Sequence, residues 1–203
     1  MSRKKSIHLI IILFLISGCA ARPVMYDIQY VPQPKSPNNS SQLNGKILVV
    51  MSPAEEAYKI EAQPSSYTGG ALNASFHVGE MTKQISLTVY SELFREGADF
   101  SNTPLDGYTI SVIPSVAELD YRFEDGDFGF SVRNALEIKV NVKVIDEKGS
   151  TKFSRLYRSG TIKGQKNTGI KFGDPLADFN KLLHRALYDL LKESSVDLKQ
   201  QMQ

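Results

Sequence analysis

From Phe128 to Val144 the large apolar residues keep to even positions: Phe128, Phe130, Val132, Leu136, Ile138, Val140, Val142 and Val144. Arg133, Glu137, Lys139, Asn141 and Lys143 stand between them. A helix would scatter this set around its circumference, whereas a strand gathers it on one face. One buried and one wet face imply antiparallel neighbours, because parallel strands are covered on both sides. Upstream, Asp125-Gly126 between Phe123 and Phe128 reads as a two-residue hairpin turn. That turn pairs Phe123 with Phe128, Tyr121 with Phe130 and Leu119 with Val132. Continued unbroken, the ladder would put Ile110 and Val112 on the face opposite Val140 and Val142. The pattern therefore requires a β-bulge between about Pro114 and Leu119, beyond which Val116 faces Leu136 and Val112 faces Val140. Pro114 suits a bulge or an edge. A second turn, Asp146-Glu147-Lys148-Gly149, leads into a third strand over Thr151 to Lys163.

The remaining elements follow from local pattern. Lys46 to Met51 contains a continuous apolar run, the mark of a buried strand. Met81, Ile85, Val89 and Leu93 recur every four residues and predict a helix from about Glu80 to Arg95, stopped by Gly97. Asp174 and Pro175 open a final helix whose stripe is Leu176, Phe179, Leu183, Ala186, Leu187 and Leu190, with Lys192 placed to suit the dipole at its end. Residues 52–79 are mixed and read as a loop. The order strand, helix, three antiparallel strands, helix predicts an α+β two-layer sandwich. Its mainly antiparallel sheet carries both helices on one face.

The amino terminus is an address. Arg3-Lys4-Lys5 precede a ten-residue apolar core, Ile7 to Ile16, which is too short to span a bilayer as a mature helix. The next residues, Ser17-Gly18-Cys19, contain the only cysteine of the chain. Ile16-Ser17-Gly18-Cys19 resembles the lipobox of bacterial lipoprotein precursors. That resemblance implies cleavage before Cys19, diacylglycerol on its sulfur and a fatty acyl group such as palmitate on its new amino group. It also implies, with Ala20 in place of Asp after the cysteine, an outer-membrane destination. Two or more acyl chains anchor stably where one does not. The expected organisation is a cleaved signal peptide over 1–18, a lipidated flexible tether over 19–44 and one periplasmic domain over 45–203. Pro23, Pro32, Pro34 and Pro37 interrupt the tether, and a chain of roughly 25 residues reaches about 28 Å end to end. Tyr26, Ile28 and Tyr30 alternate and could instead add an edge strand to a partner or to the domain itself.

Removing the leader removes the basicity. Arg3, Lys4 and Lys5 belong to the 24 basic residues, and the remaining 21 face 22 acids, a formal charge of −1. No argument for nucleic-acid binding survives, and a single cysteine excludes an internal disulfide. About 155 residues suffice for one core. His8 leaves with the leader, so His77 and His184 alone suggest no metal. Gly164 to Gly169 lacks the Lys-Ser/Thr of a phosphate loop. Glu118, Asp120, Glu124, Asp125 and Asp127 crowd the hairpin, but alternation turns most of them to the wet face. No nucleophile motif is present, so the chain reads as noncatalytic and without a cofactor.

Residues 108–124 and 128–145 read as strands far longer than the usual five or six residues. Their distal halves would carry Leu119, Tyr121, Phe123, Phe128, Phe130 and Val132 on one face. Either this face is an exposed contact surface, or the helices or the 52–79 stretch cover it. In the lipobox, the helix before Gly97, the Tyr108 to Asp127 strand and turn, the Phe128 to Ile145 strand, and Leu156-Tyr157-Arg158 before the last helix, the chain resembles small outer-membrane lipoproteins of the YajG-like group. LptE-like and TolB-N-terminal-like modules are more loosely similar. The resemblance implies a noncatalytic envelope component, and the first reading is one held to the membrane through lipid on Cys19 that binds an envelope protein. The alternative is a module that handles lipid or lipopolysaccharide.

Overall fold

The computed structural model describes residues 22–24, 42–62, 74–125, 131–165, 167–168 and 175–203. In chain order these form β1 (Arg22–Val24), β2 (Ile47–Val50), α1 (Pro53–Glu56), β3 (Ile60–Ala62), β4 (Ala74–Phe76), α2 (Val78–Ser91), β5 (Ala98–Ser101), β6 (Ile110–Asp125), β7 (Ser131–Asp146), β8 (Thr151–Arg158), β9 (Ile162–Lys163), β10 (Asn167–Thr168) and α3 (Pro175–Met202). The main sheet is mixed. β2 lies between β5 and β6, parallel to both, and β6 runs antiparallel to β7. Along its other edge β7 meets β8, β9 and β10 in turn, all antiparallel. The fold is α+β, with α2 and α3 packed on the sheet face that carries Ile47, Val49, Val112 and Val140.

Central, parallel β2 explains the unbroken apolar run, because Leu48 and Val50 are buried on the side away from the helices. Since β5 and β6 both run parallel to β2, the chain from 102 to 109 must return along the sheet. The Tyr108 hydroxyl donates to Asp99 Oδ2 at 2.7 Å, and Asp99 is the register partner of Leu48. The return loop therefore covers the face of Leu48.

The required bulge is present: Val116 pairs with Val140 and Glu118 with Lys139, leaving Ala117 as the extra residue on β6. The ladder to β2 ends at Val112, so Pro114 sits where that edge of β6 has lost its neighbour. The hairpin register differs from expectation. Asp125 pairs with Val132, so six residues rather than two separate them, and Phe123, Tyr121 and Leu119 pair with Asn134, Leu136 and Ile138. Below the bulge Val112 pairs with Val144 rather than Val140. The slips are six and four positions, both even, so every face is kept although the partners change. The extra residue also falls on β6, where the expected pairs would have put it on β7.

Met81, Ile85, Val89 and Leu93 are all buried. α2 nevertheless stops at Ser91, because residues 93–95 leave the helix to bond to Leu43: Leu43 N–H donates to Leu93 O, and Arg95 N–H to Leu43 O. The 28 residues of α3 make a helix of about 42 Å, which lies along β7, whose 16 residues span about 53 Å. Phe179, Leu183, Ala186, Leu187 and Leu190 are buried as expected, and Leu198 extends the stripe. Lys192 is mid-helix, paired with Glu92 at 2.7 Å rather than ending the dipole. Asp174 lies outside the described residues. At Ser159-Gly160 the third strand breaks into β8 and β9, with Gly160 at φ 63°.

Residues 52–79, expected as a loop, hold α1 and two strands of a second sheet ordered β1-β4-β3. β1 is parallel to β4, with Arg22 beside Ala74 and Val24 beside Phe76. Part of the expected tether thus belongs to the folded body. Val24 is fixed ahead of the first turn of α2, and Leu43 is fixed beside Phe94, past its last turn. The 14-residue helix between those points is about 21 Å long.

Candidate functional site

Of the six residues of the candidate contact face, Leu119 and Tyr121 have described side chains. Leu119 and Tyr121 are half-buried and pack against the core. Tyr121 meets the rings of Phe179 and Phe76 at centroid distances of 3.9 and 6.2 Å, and Phe76 stacks edge-on to Phe179 at 4.1 Å. With the six-position slip Tyr121 lies under α3 and Leu119 packs on the core, so at these two positions the helix-covered alternative holds. Phe123 and Val132 occupy backbone positions in β6 and β7 opposite Asn134 and Asp125. Phe128, Phe130 and Cys19 lie outside the described residues.

Asn134 is the one polar break in the even-numbered run, and it is buried. Its Oδ1 accepts from the Tyr121 hydroxyl at 3.2 Å, and its Nδ2 donates to Asp178 Oδ2 at 3.0 Å. Burial, with Asp178 adding to it, pushes the Tyr121 hydroxyl well above its ordinary pKa. This network fastens the first turns of α3 to the sheet.

Two clefts among the described residues bear on a site. The larger, about 620 Å³, lies at the far end of the sheet between Thr109, Asp146, Lys148, Lys152, Gln201 and Met202. Asp146 accepts from Lys152 Nζ at 2.9 Å, Ser150 N–H at 2.8 Å and Lys148 N–H at 3.0 Å, which hold its carboxyl below the usual range. The smaller, about 180 Å³, is lined by Met51, Glu55, Tyr58, Gly79, Ser115 and Val116 at the carboxyl end of β2. Open α/β sheets often bind ligands at such an end. Here, however, Glu55 closes a capping box, accepting from Ser52 N–H and Oγ at 2.8 Å while Ser52 Oγ accepts from Glu55 N–H. Burial raises the Glu55 pKa, but these bonds and one to Ser115 outweigh it and leave it lowered. Both carboxylates serve backbone structure.

Beyond the part covered by the return loop, the other face of β6 and β7 carries ion pairs, as alternation requires. Lys139 pairs with Glu118 at 2.5 Å, Arg122 with Asp120 at 2.8 Å and Lys163 with Glu124 at 2.9 Å. Among the described residues no group of three His, Cys, Asp or Glu could hold a metal. Nor, among them, is any helix long and apolar enough to cross a membrane. His77 is half-buried before α2, and His184 is buried on α3 with its pKa lowered by desolvation.

The fold has a solved counterpart. Protein XCC0632 from Xanthomonas campestris, assigned to family DUF330, superposes with a TM-score of 0.55 at 12% identity over 90% of this chain and 96% of that one. At this identity the likeness shows the fold alone. Two further structures align less closely: a provisional lipoprotein from Caulobacter crescentus (TM-score 0.43, 11% identity, 62% of this chain and 82% of that one) and a minor lipoprotein from Acinetobacter baumannii (TM-score 0.38, 12% identity, 77% and 94%). No family model and no curated protein matches the sequence.

Sequence reasoning missed α1, although Ser52-Pro53-Ala54-Glu55 carries the capping-box spacing with proline at the first helical position. It also missed β1 and β5. Three residues at β1 and four at β5 are too few for a periodicity to register.

Proposed function

We propose that this chain is a lipid-anchored lipoprotein of the outer membrane, facing the periplasm and acting as a noncatalytic, protein-binding component of an envelope assembly. Residues 1–18 are removed and Cys19 carries the lipid. The observation that carries the reading is the place of the only cysteine: it directly follows the leader, and the first strand of the folded body begins three residues later. The commitment of Glu55 and Asp146 to a cap and a turn supports a noncatalytic role.

The gap between helices and sheet is filled by Ile47, Ile85, Val140, Leu183 and Leu187, each fully buried. This favours protein binding over carriage of a lipid between the layers. The proposed contact is the hairpin end, at Phe123, Phe128, Phe130 and Val132. A photo-crosslinking residue at Phe130, introduced in cells, tests it. One dominant protein adduct supports the reading. Lipid adducts, or none, overturn it in favour of lipid handling or a covered hairpin.

A further inference from the structure

We propose that β1 clamps the lipid anchor to the domain, so that the end of the molecule bearing the small sheet rests on the bilayer and the large cleft faces away from it. The inference rests on the reading of Cys19 as the acylated residue and adds which surface meets the membrane. Only Ala20 and Ala21 separate Cys19 from Arg22. Three residue steps reach at most about 11 Å. Arg22 is held beside Ala74, and Ala74 is paired with Ala62 of β3. The anchor therefore enters the bilayer within about 11 Å of that edge of the small sheet. A free tether of 25 residues would allow a mean of about 28 Å and a far longer full extension.

The small sheet joins the body through Phe76, packed on Tyr121 and Phe179. From Leu136, the partner of Tyr121, to Asp146 at the large cleft, β7 advances ten residues, about 33 Å. Residues 25–41 then do not set the height of the domain above the membrane, because the chain on both sides of them is fixed to the same body.

Energy transfer in vesicles tests the clamp. The full chain is acylated in cells and reconstituted into phosphatidylethanolamine–phosphatidylglycerol vesicles with a headgroup acceptor dye. The donor is placed on Glu61→Cys, in β3, or on Lys148→Cys, in the far turn. Both sites are exposed, and acylation leaves each new thiol the only free one. The clamp gives at least twofold greater transfer from position 61 than from 148. Ten Gly/Ser residues inserted after Tyr26 leave transfer from 61 unchanged, while the same insertion after Ala21 lowers it at least twofold. Equal transfer from the two positions, or equal loss from the two insertions, overturns the clamp. Protein that fails to float with the vesicles overturns the anchor itself, a separate result visible before any dye is read.

Discussion

The joint between α2 and α3 offers a test of the core that needs no knowledge of a partner. Tyr90 OH lies 2.6 Å from Ser194 Oγ, and both side chains are fully buried. Ser194 Oγ also donates to Leu191 O at 2.7 Å, which uses its only proton, so Tyr90 must be the donor. The two truncations are then unequal. Tyr90→Phe keeps the ring and leaves Ser194 bonded to Leu191, at a cost of about 1 kcal/mol. Ser194→Ala leaves a buried phenol proton without an acceptor, which costs about 1–3 kcal/mol, offset by about 0.5 kcal/mol of better helix propensity. Adding Tyr90→Phe to Ser194→Ala removes the orphan, so the double variant should be no less stable than Ser194→Ala. Urea unfolding of the three variants followed by circular dichroism measures this. Additive costs, or a larger cost for Tyr90→Phe than for Ser194→Ala, would refute the donor assignment.

Further outcomes follow from the same structure. Gly79→Ala should destabilise by about 1–3 kcal/mol despite alanine's helix preference, because its Cβ would fall on the backbone carbonyls of Glu55 and Glu56; a thermal melt at or above wild type contradicts this. Burial lowers the His184 pKa below its unfolded value of 6.5, so stability should be full above that pH and fall as pH drops below it. The slope from this group is at most about 1.4 kcal/mol per pH unit. His184→Gln should flatten the urea midpoint between pH 6.5 and 5, before the carboxylates titrate. Tyr90, Tyr121 and Tyr157 all have raised pKa values, chiefly through burial. Stability should therefore hold below pH 10 and fall above it, with Tyr90→Phe reducing the fall in alkaline unfolding curves. Cys19→Ala should leave a soluble periplasmic protein, and its persistence with salt-washed membranes would contradict anchoring.

Legibility in the sequence tracked the range of each interaction. Period two on β7 and period four on α2 are local facts, and Leu136 to Val144 and Met81 to Leu93 are buried accordingly. The bulge was legible because two apolar patterns of opposite parity cannot share a face without an extra residue. The register was not, since parity is preserved by any even slip and only the connection length chooses among them. Asp125-Gly126 resembles a tight turn, yet six residues separate the paired Asp125 and Val132. Which of the two alternatives held for Leu119 and Tyr121, an exposed or a covered face, depended on that register. β1 was hidden for another reason: a strand of three residues is defined by its partner, and Ala74 to Phe76 lies fifty residues downstream.

The central claim is that Cys19 is the first residue of the mature protein and bears its lipid. Mass spectrometry of the amino-terminal peptide from membrane-extracted protein tests it directly. The expected result is a peptide beginning at Cys19 whose mass includes a diacylglyceryl thioether and an amide-linked acyl chain. A peptide beginning at Met1, or an unmodified Cys19, would contradict it.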